Sequence, residues 1–286
     1  MAEAARDERS PPAAARDEVL PPAAAYEASA AGAGTRRGHA AGRLAVTLGS
    51  LVLLVGLWQM AALIAASPLL PGPLAVLHAF LRASETGTLP RNVAITLARV
   101  AASFAIAMAI GAAIGILLGR SPALDRVFGP WLIVLLNLPA LVIIILCYVW
   151  FGLTEAAAVT AVSINKIPNV AVTLREGAAA LSRDLDEMAR VFRFGRSRTL
   201  RHVVLPQLAP FFAAAARSGL ALTWKIVLVV ELLGRSNGVG FELQTAFQLF
   251  DVATVLAYAL AFTVVVQIIE IAIIQPWERH ANRWRR

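Results

Sequence analysis

Apolar positions along the chain gather into six long runs, near residues 44–66, 96–119, 127–150, 155–174, 208–233 and 252–275. Each approaches the roughly 20 residues that a helix needs to cross a bilayer, and none shows the short alternation of a half-buried strand. The pattern predicts an all-α membrane protein with six transmembrane helices. The fourth run is interrupted by Asn165-Lys166-Ile167-Pro168-Asn169. It can span only if that polar face looks into the bundle or a wet cavity. Trp131, Trp150 and Trp277 fall at expected span ends, where an indole keeps its ring apolar and its N–H wet.

Ahead of the first run, residues 1–43 carry six acids, six arginines and fifteen alanines. A ten-residue repeat runs through them: Ala5-Arg-Asp-Glu8 returns as Ala15-Arg-Asp-Glu18, and Pro11-Pro-Ala-Ala-Ala15 as Pro21-Pro-Ala-Ala-Ala25. Such low complexity predicts a disordered tail. No apolar stretch lies close to Met1, so the first run is expected to stay as an anchor and not to be cleaved as a signal peptide. Residues 44–286 then form the membrane domain.

The charge of the chain changes what these runs mean. A net charge of +8 alone would suit a nucleic-acid binder, but 58% hydrophobic and 15% charged residues do not, and no nucleic-acid partner is expected. Sixteen arginines sit in alternate connections and only Arg82, Arg91 and Arg235 in the others. The positive-inside rule therefore places both termini in the cytoplasm of a multi-pass membrane protein. Cys147 is the single cysteine, so no intrachain disulfide can form.

Gly111, Gly115 and Gly119 recur every four residues in the second run, a strip on one helical face that lets two backbones approach in lipid. The stretch Gly115-Ile-Leu-Leu-Gly119-Arg120-Ser121 is not a phosphate loop, which needs four residues between its glycines and then Lys. No complete phosphate loop occurs elsewhere, so any ATP chemistry must belong to a partner. Four scattered histidines suggest no metal site, and H-E-x-x-H and G-x-S-x-G are absent, so no catalytic residue is assigned.

The longest charged connection, about 175–207, holds seven arginines. Within it, 181–192 reads as an amphipathic helix capped by Ser182 with acids in its first turn. Gly195 then breaks the pattern, and 196–204 forms a second short helix that stops before Pro206. This ledge either rests on anionic lipid or docks a cytoplasmic partner.

Glu187-Met188-Ala189 followed by Val203-Val204-Leu205-Pro206 resembles the EAA signature of bacterial ABC importer permeases, roughly E-A-A, three residues, G, nine residues, I-x-L-P. Met188 replaces the first Ala, and Arg193 stands where the signature has Gly, with Gly195 two residues on. Five further stretches resemble the nitrate/sulfonate/taurine branch: Gly115 to Ser121, Asp125 to Pro130, Leu138-Pro139, Trp150 to Glu155, and Trp224-Lys225 through Glu231-Leu-Leu-Gly234 to Gly238-Val-Gly240. The resemblance covers about residues 90–280. It implies a type I ABC importer permease fold with Glu187, Met188, Ala189, Arg193, Gly195, Val203, Leu205 and Pro206 forming the ATPase-coupling loop, Glu187 fixing it through an arginine. It also implies two ATPase subunits holding ATP and Mg, an external solute-binding protein, and a second permease subunit, most simply a homodimer.

Arg99, Lys166, Arg217, Lys225, Glu231 and Glu270 fall in or beside apolar spans, where ionisable groups are costly and face a cavity or a partner. Lys166, Trp224, Lys225 and Glu231 are candidates for the translocation path, the lysines offering positive potential to an anion. Snorkelling at a span end or an internal ion pair with a glutamate accounts for each lysine better than a solute contact does. Gly234 to Gly240 is expected to form an external turn near the gate. Nitrate, taurine, an alkanesulfonate and a neutral vitamin precursor all remain open as solutes. A self-sufficient secondary transporter or channel is the alternative; it would carry internal symmetry, and no convincing repeat is found.

Overall fold

The computed structural model describes residues 46–276. The repeat-bearing tail, Trp277 and the four arginines after it lie outside the described residues. Among the described residues every regular element is helical.

Helix α1, Val46–Ala65, is 20 residues long and contains no charged side chain. The bundle that follows consists of α2 Pro73–Glu85, α3 Thr88–Arg120, α4 Pro122–Asn137, α5 Ala140–Phe151, α6 Glu155–Ala179, α7 Arg183–Val191, α8 Arg196–Thr199, α9 Leu205–Gly234, α10 Val239–Gln248 and α11 Val252–Ile269. Wider π-helical turns occupy Leu200–Val204 and Glu270–Ile274.

Several boundaries differ from the apolar pattern. Helix α3 starts at Thr88, eight residues before the expected run, because Leu89 and Val93 are buried with Tyr258 and Phe262. The third run is two helices meeting at 94°. Leu138-Pro139 causes the break: a residue before proline is driven out of the α region, and Leu138 has ψ 128°. Trp131 consequently sits inside α4 and not at a span end. Pro168, expected to interrupt the fourth run, lies within a continuous α6. Helix α6 packs against α3, α5 and α9, and burial of Ala161, Val162, Pro168 and Val170 holds it continuous through the proline.

Side-chain pairings fix the direction of each crossing. Arg99 meets Glu155 near the starts of α3 and α6, while Gly119 faces Ala178 near their ends, so these two helices run parallel. The bent α4–α5 pair therefore returns the chain to the side where α3 began, and counts as one broken crossing. Helix α9 runs antiparallel to both: Leu208 packs with Leu174, and Glu231 reaches Arg99. Helix α11 starts where α3 starts, with the Tyr258 hydroxyl 3.2 Å from that of Thr88. With α1, the chain has six potential crossings.

The α3–α6 seam is built by the glycine strip. A Cβ at Gly111 would lie 2.7 Å from Val170 Cβ, one at Gly115 2.9 Å from Leu174 Cβ, and one at Gly119 2.7 Å from Ala178 Cβ. At Gly115 and Gly119 backbone carbonyls of α6 come closer still, so bare glycines are what let the two helices touch. Asp125 of α4 accepts from Arg175 of α6 at 3.1 Å beside the end of this seam.

Candidate functional site

The charged loop packs against the bundle by a few apolar anchors. Ala189 of α7 and Val203 and Val204 of the π-turn are buried, whereas Glu187, Met188, Val191, Phe192, Arg193 and Leu205 are exposed. Glu187 was expected to hold the loop through an arginine; among the described residues it makes no ion pair, and it faces outward from α7. Ser182 occupies the cap position without capping; its N–H donates instead to Gln207 Oε1 at 3.0 Å, tying α7 to α9. The second short helix does not stop before Pro206. Residues Ser197–Gly234 form one helical rod of 38 residues, with Pro206 in the first turn of α9.

The turn after α7 is made by Arg193, not by Gly195. Arg193 has φ +52°. Phe194 N–H donates to Ala189 O at 2.8 Å and Arg193 N–H to Arg190 O at 3.0 Å, the paired bonds of a Schellman motif whose left-handed position favours glycine. Arg193 thus stands at the position where the signature has Gly, and pays the steric cost. Gly195 has ordinary φ, open space where a Cβ would be, and a carbonyl that accepts from Thr199 N–H to begin α8. Arg193→Gly should stabilise the chain by about 1 kcal/mol, and Gly195→Ala should leave stability unchanged, both read by denaturant unfolding; a loss on Arg193→Gly would contradict this assignment of the turn.

At the opposite end of the bundle lies a buried charge cluster. Glu231, expected on the translocation path, is fully buried. Its carboxylate accepts from Arg99 Nη1 at 2.6 Å, Thr96 Oγ1 at 2.8 Å and Gly240 N–H at 2.8 Å. Arg99 forks onto Glu155, Nε at 2.8 Å and Nη2 at 2.5 Å, and also donates to the carbonyl and side chain of Asn237. Glu155 in turn accepts from Arg235 at 2.7 Å. Gly238 N–H donates to Asn92 Oδ1 and Val239 N–H to Thr96 Oγ1, both at 2.9 Å. The glycine-rich turn is thereby clamped onto α3. Only glycine fits at 238: φ is +106°, and a Cβ would sit 2.5 Å from Glu231 Oε1.

Sequence reasoning marked Arg99 and Glu231 separately as costly intramembrane charges but did not pair them, and missed Glu155, Arg235 and Asn237 as members. The usable signal was two opposite charges in spans, each in need of a partner.

The two lysines lie in different settings. Lys166 is 2% exposed between α3, α6 and α9, its stem filling the space left open at Gly219, and among the described residues its Nζ has no hydrogen-bond partner. Lys225 is exposed, with Nζ 5.5 Å above the Trp224 ring. Trp224 is half-buried and stacks edge-on against Phe262 at 5.9 Å. Ala214, Ser218, Ala221 and Lys225 share one exposed face of α9 at helical spacing. On its flank, Arg217 lies 3.9 Å from Glu270.

The family profile described as "binding-protein-dependent transport system inner membrane component" matches residues 91–275. The putative aliphatic sulfonates transport permease protein SsuC of Bacillus subtilis (strain 168) is 27% identical over 235 residues, 82% of this chain and 85% of that protein. The taurine transport system permease protein TauC of Escherichia coli (strain K12) is 27% identical, covering 85% and 90%. The bicarbonate transport system permease protein CmpB of Synechococcus elongatus is 29% identical, covering 72% and 76%. Among solved structures, a chain of the MetNI methionine ABC transporter in an inward-facing conformation superposes with TM-score 0.59 at 19% identity, covering 67% of this chain and 95% of that one. A chain of an amino acid ABC transporter gives 0.53 at 19% identity, covering 70% and 96%. These likenesses establish the type I ABC importer permease fold.

Proposed function

Because this chain belongs to the family of binding-protein-dependent transport system inner membrane components, we propose that it carries a small organic or inorganic oxyanion, of the sulfonate, taurine or bicarbonate kind, through the bacterial inner membrane. It is the multi-pass permease subunit of an ABC importer. In our reading an external binding protein delivers the solute, separate ATPase subunits bind ATP and Mg and dock on the 183–206 ledge from the cytoplasm, where both termini lie, and a second copy of this chain completes the pathway.

One observation supports the coupling: the later part of the ledge and Lys225 belong to a single helical rod. The helix that starts at Ser197 in the loop runs without interruption to Gly234, and Lys225 lies on its exposed small-residue face. From Ser197 to Lys225 is about 42 Å at 1.5 Å per residue. A push on the loop by closing ATPases moves Lys225 with it, since a helix transmits displacement along its axis. Two packings of α9 against α6 supply the inward- and outward-open states. Glu187, Met188 and Leu205 present exposed contacts to the ATPase, while Ala189, Val203 and Val204 fasten the ledge to the bundle. Inserting one residue between Gly195 and Pro206 rotates the ledge by about 100° against α9. Such a variant should reach the membrane normally and lose co-purifying ATPase subunit; normal recovery of that subunit would reject the coupling role.

Lys225, exposed beside Trp224, meets the anion directly. Lys166 is enclosed and reaches solute only when α9 parts from α6. Lys225→Met should cut uptake about tenfold or more, the scale of one lost charge-assisted contact, and Lys166→Met together with it should cut uptake further. Uptake unaffected by the double substitution would remove both lysines from the path.

A further inference from the structure

The strip that α3 turns toward α6 continues from Gly111 to Ala107 and Ser103 at the same four-residue spacing. Ser103 is 1% exposed, and Lys166 across the seam on α6 is 2% exposed. Among the described residues, Ser103 Oγ and Lys166 Nζ are both buried without a hydrogen-bond partner. We propose that this junction of α3, α6 and α9 encloses a compact monovalent anion of halide, nitrate or bicarbonate size, held by Lys166 Nζ with Ser103 Oγ as the second donor.

Helix geometry brings the two groups toward one level. Ser163 Oγ donates to Ser103 O at 3.3 Å, which sets Ser103 against Ser163, while Gly111 faces Val170; Lys166 stands between those two contacts. A helical side chain leans toward the N-terminus of its own helix, so the Lys166 stem runs back toward the level of Ser163 and Ser103. Gly219 of α9 marks where it arrives. A Cβ there would lie 3.2 Å from Lys166 Cε and 3.0 Å from Cε2 of Phe104, the residue after Ser103. The other two buried hydroxyls nearby already donate elsewhere, Ser163 to Val159 O at 2.7 Å and Thr223 to Gly219 O at 2.8 Å. Ser103 is the one left to help the ammonium.

Donor chemistry and charge select the ligand. Lysine offers three donors and no acceptor, so whatever lies against it must accept. Among the described residues no carboxylate pairs with Lys166: Glu155 and Glu231 are taken by Arg99 and Arg235, and Glu270 lies by Arg217. A water would leave the ammonium charge uncompensated among buried helices, whereas an anion cancels it and accepts from both groups. Size follows from enclosure. Ala107 and Thr223 are fully buried on the neighbouring turns, and neither donor atom touches solvent, so the ligand is enclosed whole and a hydrocarbon tail has nowhere to lie. The inference rests on the anion-importer reading and narrows it, favouring inorganic oxyanions over alkanesulfonates. A resident halide and a transported oxyanion present the same chemistry to these donors.

The test uses the full chain purified in mixed micelles in sodium gluconate, with gluconate exchanged for bromide, nitrate or butanesulfonate at constant ionic strength. Exchange for bromide or nitrate should raise the unfolding midpoint of wild type by about 3 °C relative to the same exchange in Lys166→Met. Butanesulfonate should give no such difference. Ser103→Ala should need about tenfold more anion for half of the rise. A response to bromide alone marks a resident halide, and a response to nitrate marks an oxyanion site. Equal responses in wild type and Lys166→Met, or a response to butanesulfonate as large as that to nitrate, would overturn the proposal. Bromine anomalous scattering from crystals grown in bromide locates the ion without any variant, and the lack of a peak within hydrogen-bond reach of Lys166 Nζ in a wild type that responds to bromide would also overturn it. Anion binding that persists while uptake ignores the double lysine substitution would reject the transport reading and leave the enclosed site standing.

Discussion

Glu231→Leu should destabilise the chain by about 3–5 kcal/mol, because it leaves the buried Arg99 guanidinium without its fully buried carboxylate partner. Thr96 Oγ1 and the Gly240 N–H lose their acceptor at the same time, and the turn that they hold is released from α3. Pairing the change with Arg99→Met should recover at least half of the loss, since apolar groups of similar volume replace both charges. Glu155 tolerates that removal: it is 53% exposed and keeps Arg235. Unfolding of the purified chain in mixed micelles measures both variants. Equal losses in the single and double variants would show that the cluster acts through something other than its charge pair.

Gly115→Leu should cost about 3 kcal/mol, the upper part of the range for overpacking, and Gly115→Ala about half of that. The substituted Cβ would meet the carbonyl of Ala171 and lie 2.9 Å from Leu174 Cβ, both on the most enclosed helix of the bundle. Backbone cannot swing aside as a long side chain can, so α3 must move off α6 along the whole seam from Gly111 to Gly119. Assembly yield and unfolding midpoint check this; wild-type values in Gly115→Leu would mean that the strip is not the contact that brings the helices together. Gly219 gives a contrast, because the atoms nearest its absent Cβ are the Phe104 ring and the Lys166 stem, which can shift.

Much of the fold was legible because a bilayer imposes a length. Apolar runs of about 20 residues must become helices when no water can satisfy the backbone, and five of the six appear as single rods near the expected positions. The 94° break between α4 and α5 was visible in Leu138-Pro139 only as a motif; the angle depends on what each half packs against. Pro168 shows the opposite error. A proline that propensity reads as an interruption stays inside a helix that its neighbours bury at Pro168 itself.

The loop was legible in spacing but not in geometry. Nothing local distinguishes Arg193 from Gly195 as the residue that turns, and glycine is the natural guess. Only the hydrogen bonds from Phe194 to Ala189 and from Arg193 to Arg190 show that the chain turns at Arg193, two residues before the glycine. Similarly, Glu231 in a span reads as a path residue until Arg99, 132 positions away, is seen to be its partner.

Sequence alone therefore determined that the chain crosses a membrane, which side gathers its arginines, and that the 175–207 loop carries a permease-like signature, because hydropathy, charge bias and motif spacing are properties of consecutive residues. Tertiary structure decided which intramembrane charges are buried against a partner and which stay exposed, because a buried charge is defined by the partner that folding brings to it. It placed Glu231 in a closed cluster and Lys225 on an open helical face, although both stand on α9 only six residues apart.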